Sequence, residues 1–205
     1  MGLLVGLCSL RAAPLPQGVV DEGTGLGTFT NCRLVPAQWN DGDSFGVLFP
    51  DGSTHTLRLY GVDCFETSER HPTDRRRLRS QRAYFGIAGS GGDERSSIKA
   101  AIMLGGAAKK RVGELLSKPF TVHTAWADGR GHPRHKRYYA FITEAAGGDL
   151  GRLLVREGLA RAFGVARARR VGVNQEEYRD RPVSYTHLRA HETKANLVCR
   201  LLREK

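Results

Sequence analysis

The stretch from Phe45 to Tyr60 limits the possible folds more than any other part of the chain. Phe45-Gly-Val-Leu-Phe49 and Thr54-His-Thr-Leu-Arg-Leu-Tyr60 are runs rich in aliphatic, aromatic and β-branched residues. Between them, Pro50-Asp-Gly-Ser53 has hairpin turn chemistry: proline presets φ, aspartate bonds its own turn, and glycine takes positive φ without strain. A lone two-stranded hairpin is marginal in water, so further strands must cover it. Candidates are Cys32 to Val35, Phe120-Thr-Val-His-Thr124 and Tyr138-Tyr-Ala-Phe-Ile-Thr143. Ile98 to Leu116 repeats apolar residues near a helical period, although Gly105-Gly106 weakens its middle. Asp149 is placed to cap a short helix whose apolar face is Leu150, Leu153 and Leu154. Strands with interspersed helices and no βαβ rhythm predict a mixed α+β fold, mainly β: a small barrel with helices packed on it. Residues 68–97 are charged, include Arg75-Arg76-Arg77, and read as a long loop with a solvated face.

A chain of 205 residues holds one ordinary domain and some trailing material. Residues 1–27 read as a truncated signal-like segment followed by a Pro- and Gly-rich linker, so a secreted or periplasmic location is expected. Residues 28–181 form the expected domain. Residues 182–205 break the preceding pattern, resemble a translated adapter peptide, and read as a non-native tail. No run of 18 apolar residues occurs, which excludes an ordinary transmembrane helix.

Thirty-two Lys and Arg against 21 Asp and Glu give a formal charge of +11. That excess favours a polyanionic partner, nucleic acid being the commonest. Cys8, Cys32, Cys64 and Cys199 show no CxxC spacing, which argues against structural zinc; a Cys32–Cys64 bridge stays open. His132 and His135 lack a third ligand nearby and read as loop histidines.

Three segments carry the chemistry. Asn40-Asp-Gly-Asp-Ser-Phe45 puts two carboxylates at a turn entering a strand. Leu57-Arg-Leu-Tyr-Gly-Val-Asp-Cys-Phe-Glu-Thr67 ends another strand with Arg58, Asp63 and Glu66. Arg134-His-Lys-Arg-Tyr-Tyr-Ala-Phe141 brings Arg137 to the start of a third. Phosphodiester hydrolysis needs such a set. A hard cation takes oxygen ligands, for which Asp43 and Asp63 are suited. A carboxylate orients or deprotonates the water, the role suited to Glu66. Two guanidiniums stabilise the extra charge of the pentacoordinate state, and Arg58 and Arg137 suit that task. Arg130 or Arg134 in the same loop is the alternative to Arg137.

In their order, these segments resemble the staphylococcal (thermonuclease-type) nuclease family over roughly residues 28 to 166. The matching stretches are Asp-Gly-Asp-Ser-Phe at 41–45, Arg-Leu-Tyr-Gly-Val-Asp-Cys-Phe-Glu-Thr at 58–67, Arg-Tyr-Tyr-Ala-Phe at 137–141 and Leu-Val-Arg-Glu-Gly-Leu-Ala-Arg at 154–161. The resemblance implies an OB-fold, a five-stranded barrel with packed helices. It further implies a Ca²⁺-dependent endonuclease of DNA and RNA that leaves 3′-phosphate ends, expected to act as a monomer without a membrane partner. By the same resemblance Asp43, Asp63 and the main-chain carbonyl of Cys64 hold the metal. Glu66 is then the general base, and Arg58 and Arg137 bind phosphate. The alternative is a non-catalytic nucleic-acid-binding OB-fold module.

The sequence departs from the family pattern in several places. Ser44 and Cys64 stand where the family usually has Thr. Phe65 replaces a proline that would stiffen the turn before Glu66, and residues 68–97 lengthen the loop beside the site. Gly164 and Ala166 occupy positions where the family's best-known member stacks aromatic rings on the nucleotide, leaving Phe163 or Tyr138 as substitutes.

Overall fold

The computed structural model describes residues 15–89, 92–130, 135–165 and 167. The tail reading of 182–205, most of the signal-like segment, His132 and Arg134 lie outside these residues. The fold is mixed α+β and mainly β. Its strands are β1 (Val19–Asp21), β2 (Leu26–Val35), β3 (Ser44–Leu48), β4 (Thr54–Leu59), β5 (Val62–Cys64), β6 (Phe120–Asp128), β7 (Arg137–Thr143) and β8 (Ala160–Ala162). Its helices are α1 (Pro72–Tyr84), α2 (Glu94–Leu115) and α3 (Leu150–Arg156). Strands pair in the order β1-β2-β3-β4-β7-β6, and β6 also pairs with β2, so five strands close in a ring. All neighbours are antiparallel except β4 and β7, which run parallel.

The predicted hairpin forms as β3 and β4. Gly52 has φ of +85°, and Asp51 Oδ1 accepts from the Ser53 N–H at 2.9 Å. Alternation then sorts the side chains. Phe45, Val47, Leu57 and Leu59 join Val122, Ala140 and Ile142 inside the ring, where α2 and α3 add Ala108, Val112, Leu150 and Leu154. On β7 the odd residues Tyr139 and Phe141 face out, yet they stack on Tyr60 at 4.9 and 4.8 Å and are buried.

Three local expectations change. The segment read as a linker contains β1, which pairs with the start of β2 at Leu26. The helix begins at Glu94, four residues before Ile98, because Asp93 caps it by accepting from the Ser96 N–H at 2.8 Å. The charged stretch read as a loop contains α1, which has no apolar stripe to announce it. Pro72 at its first turn starts the helix and only Leu78, Gln81 and Arg82 are buried on it. Leu78 joins Phe65, Phe85, Ile87, Ala101 and Leu104 in a second, smaller core. Asp149 caps α3 as expected, accepting from the Arg152 N–H. Cys32 and Cys64 are both buried free thiols and form no bridge. No helix among the described residues is long and apolar enough to cross a membrane.

At one end of the ring His55 lies among Phe49, Trp126 and Tyr138, with centroids 5.1 to 6.0 Å apart. Its Nε2 is buried without a hydrogen-bond partner among the described residues. Burial holds its pKa below the ordinary 6.5, against a small opposing pull from Asp51. The unfolded chain therefore binds this proton more readily than the folded one. Folding stability is expected to fall as the pH drops through about 6.5 and to level off below the folded-state value. Denaturant midpoints at pH 7.5 and 5.5 check this: His55→Phe should flatten the slope, and an unchanged slope would exclude His55 as its source.

Candidate active site

The hairpin register builds the site. Ser44 pairs with Arg58, and the Leu59 N–H bonds the Asp43 carbonyl at 2.9 Å, so Asp43 sits beside Arg58 at the end of the strand pair. The turn before it is braced by its own side chains. Asn40 donates to the Val35 carbonyl and accepts from the Gly46 N–H. Asp41 accepts from the backbone N–H groups of Asp43 and Ser44. Burial, then the adjoining Asp43, pushes the Asp41 carboxyl well above the usual carboxylate range. Gly42 is required by close approach: a Cβ there would lie 2.7 Å from both the Ala108 Cβ and the Cys64 Sγ.

Short β5 brings in the second acid. It pairs with β8, so Asp63 faces Arg161 in register and accepts from its Nε at 2.8 Å. Asp43 Oδ2 accepts from the Cys64 N–H at 3.1 Å, and its Oδ1 from the Ser44 hydroxyl at 2.8 Å. Arg58 stands between the acids, its Nη2 at 3.7 Å from Asp43 Oδ2 and at 3.7 Å from Asp63 Oδ1. All three side chains are 13% exposed or less. Burial disfavours the Arg58 charge, but Asp43 and Asp63 outweigh it and raise the pKa above its ordinary value.

Glu66 lies one turn further along. Burial raises its pKa, while a 2.9 Å bond from Arg77 Nη1 to Oε1 works the other way. Its second oxygen, Oε2, has no hydrogen bond among the described residues. Arg137 enters from the start of β7. Its Nη1 reaches the Ser44 hydroxyl at 3.4 Å and its Nη2 the Arg130 carbonyl at 3.1 Å. Its Nε is buried and unbonded among the described residues, where no carboxylate forms a salt bridge with it. Burial and the neighbouring Arg58 charge lower its pKa. Thus Asp43, Asp63 and Arg58 meet directly, with Arg137 beside Ser44, while Glu66 turns its Oε1 to Arg77. Arg130 contributes its carbonyl to Arg137, and Arg134 lies outside the described residues.

Cys64 contributes through its backbone. Its thiol is packed on Gly42 and pushed up by burial, then by Asp43, so it offers no thiolate. Its carbonyl accepts from Gln81 Nε2 at 2.6 Å, which leaves a second lone pair. Among the described residues no three His, Cys, Asp or Glu side chains gather closely enough to hold an ion. What converges is a pair of aspartate oxygens with a main-chain carbonyl nearby.

Sequence reading missed Arg77, Gln81 and Arg161. Arg161 lies within a motif already singled out, so a polar residue in an apolar strand was available as a signal. Arg77 and Gln81 lie in a polar helix where no periodicity distinguishes buried from exposed positions. The proposed aromatic substitutes also separate. Tyr138 packs edge-on to Trp126 at 5.2 Å, whereas Phe163 is 54% exposed, with the Arg161 guanidinium 4.2 Å from its ring centre. No family model matches the chain, and no curated protein matches it.

Proposed function

We propose that the protein is a Ca²⁺-dependent endonuclease that hydrolyses phosphodiester bonds of DNA and RNA and leaves 3′-phosphate ends. Its ring of strands is read as an OB-type barrel of the staphylococcal (thermonuclease-type) nuclease family. One observation carries the reading: residues up to 94 positions apart meet as two buried aspartates around Arg58, beside an arginine that forms no salt bridge among the described residues. A guanidinium with a buried, unbonded Nε suits an anionic ligand. The strand order supports the fold assignment, since a five-stranded closed sheet with one parallel pair is compatible with that barrel.

The donors fit a hard cation. Asp43 and Asp63 offer anionic oxygens, and the Cys64 carbonyl retains a lone pair; these are the hard oxygen donors that Ca²⁺ takes, and waters would complete its larger shell. When bound, Ca²⁺ would neutralise the phosphate and favour ionisation of a water. Glu66 Oε2 is available to take a proton from the attacking water. Arg58 and Arg137 would donate to the non-bridging oxygens as negative charge accumulates on them. Attack at phosphorus with departure of the 5′ oxygen leaves the phosphate on the 3′ side.

A single-stranded DNA cleavage assay with Ca²⁺, with chelator, and with excess Ca²⁺ after chelator tests this. Cleavage is expected in the first, none in the second, and recovery in the third. One feature favours a second reading, a non-catalytic nucleic-acid-binding module: Asp63 and Glu66 already have Arg161 and Arg77 as partners, so the acids are compensated without an ion. Tight, salt-dependent binding with no cleavage at saturating Ca²⁺ would select it.

A further inference from the structure

We infer that Gln81 is a positioning residue for the proposed phosphodiester hydrolysis, its carboxamide holding Asp63, the Cys64 carbonyl and the backbone of Glu66 in one arrangement. The inference rests on the nuclease reading and extends it to α1, which lies outside every motif that suggested that reading. Gln81 is fully buried. Its Nε2 donates to Asp63 Oδ2 at 3.0 Å and to the Cys64 carbonyl at 2.6 Å, while its Oε1 accepts from the Glu66 N–H at 3.2 Å. The turn thus presents two acceptors and one donor. A carboxamide alone among side chains carries two donors on one atom and an acceptor on its neighbour.

Its surroundings fit the same role. One helical turn earlier Arg77 bonds the Glu66 side chain, so α1 grips Glu66 by backbone and carboxylate from one face. The Arg161 that holds Asp63 is itself tied to α1, its Nη1 reaching the Ser80 hydroxyl at 3.2 Å. Phe65, where a proline would stiffen the turn, is 1% exposed in the small core built around Leu78. Anchoring by Phe65 and the Gln81 amide together replaces the rigidity of a proline ring.

The test compares the full chain with Gln81→Met, an apolar side chain of similar length, and with Gln81→Glu, whose acceptors would face Asp63 and the Cys64 carbonyl. Leu154→Ala, in the ring core away from α1, serves as a control for lost stability. At a temperature where all four are folded by circular dichroism, both Gln81 variants should lose about 10–100-fold in kcat or in apparent Ca²⁺ affinity. Their KM for DNA should change less, and Leu154→Ala should leave kcat within about twofold of the parent. Amide hydrogen exchange, which needs neither metal nor substrate, should quicken at residues 63–66 in Gln81→Met but not in Leu154→Ala. A parent chain that cleaves while Gln81→Met cleaves equally well overturns the inference and spares the nuclease reading. A parent chain that cleaves nothing overturns that reading and the catalytic role together. Unchanged exchange at Glu66 in Gln81→Met overturns the positioning claim in either case.

Discussion

Replacing Glu66 by glutamine or Arg58 by alanine is expected to slow DNA cleavage by orders of magnitude, through different terms. Glutamine keeps the shape of Glu66 and one carbonyl oxygen for the Arg77 bond at 2.9 Å. What it loses is basicity at the second oxygen. A general base contributes about 10²–10⁴-fold, so kcat should fall by that factor with KM almost unchanged. Arg58 differs because it is the counter-charge between Asp43 and Asp63 and, on the proposed nuclease reading, also a phosphate ligand. Removing it takes away a donor to the transition-state oxygens, worth about 10²–10³-fold. It also leaves Asp43 facing Asp63 with only neutral donors of its own, the Cys64 N–H and the Ser44 hydroxyl. Arg58→Ala should therefore raise KM, lower kcat and lower the unfolding midpoint. Arg58→Lys keeps the charge but not the planar fork, and should recover stability better than rate. Single-turnover cleavage and denaturant unfolding measure both. Either variant within tenfold of the parent rate would refute the role assigned to that residue.

The second large effect is on stability, and it has opposite signs at adjacent glycines. Gly106 is exposed with open space where a Cβ would go, so alanine there should stabilise the protein by up to about 1 kcal/mol through helix propensity. At Gly105 a Cβ would stand 2.6 Å from the Phe65 carbonyl oxygen and 2.7 Å from that of Glu66. Both obstacles are backbone and cannot swing aside. Gly105→Ala should cost about 1–3 kcal/mol in spite of the better propensity, because α2 or the turn must shift. The displaced turn carries Glu66, so activity should fall as well. Guanidinium unfolding of the two variants decides the matter; equal gains at both positions would mean that α2 does not bear on the turn.

Those glycines show why a correct observation can have a different meaning in three dimensions. As sequence, Gly105-Gly106 is a weakness in a helix; in the fold, Gly105 lets α2 lie directly against the acid-bearing turn. Gly42 is similar, since its turn requires glycine less than its contact with Ala108 and Cys64 does. Phe65 is the converse. Beside the family pattern it loses a rigid proline, but in the fold it gains an anchor in the Leu78 core.

Strands β3, β4, β6 and β7, part of β2, the hairpin turn, the α3 cap and the charges of Asp43, Arg58 and Arg137 beside strand ends were legible in the residues themselves, whereas β1, β5 and β8 were not. Each depends on local chemistry: alternation with period two, a glycine at positive φ, an aspartate beside free N–H groups, and charges placed where apolar runs end. Ring closure of β6 on β2, the helix hidden in a charged stretch, and the grip of Gln81 on the turn were settled only by packing. They depend on contacts between residues far apart in the chain, and a polar helix with a single buried amide leaves no periodic trace. The positions of Asp63 and Glu66 are plain in the chain; the Gln81, Arg77 and Arg161 contacts that hold them appear only in the fold.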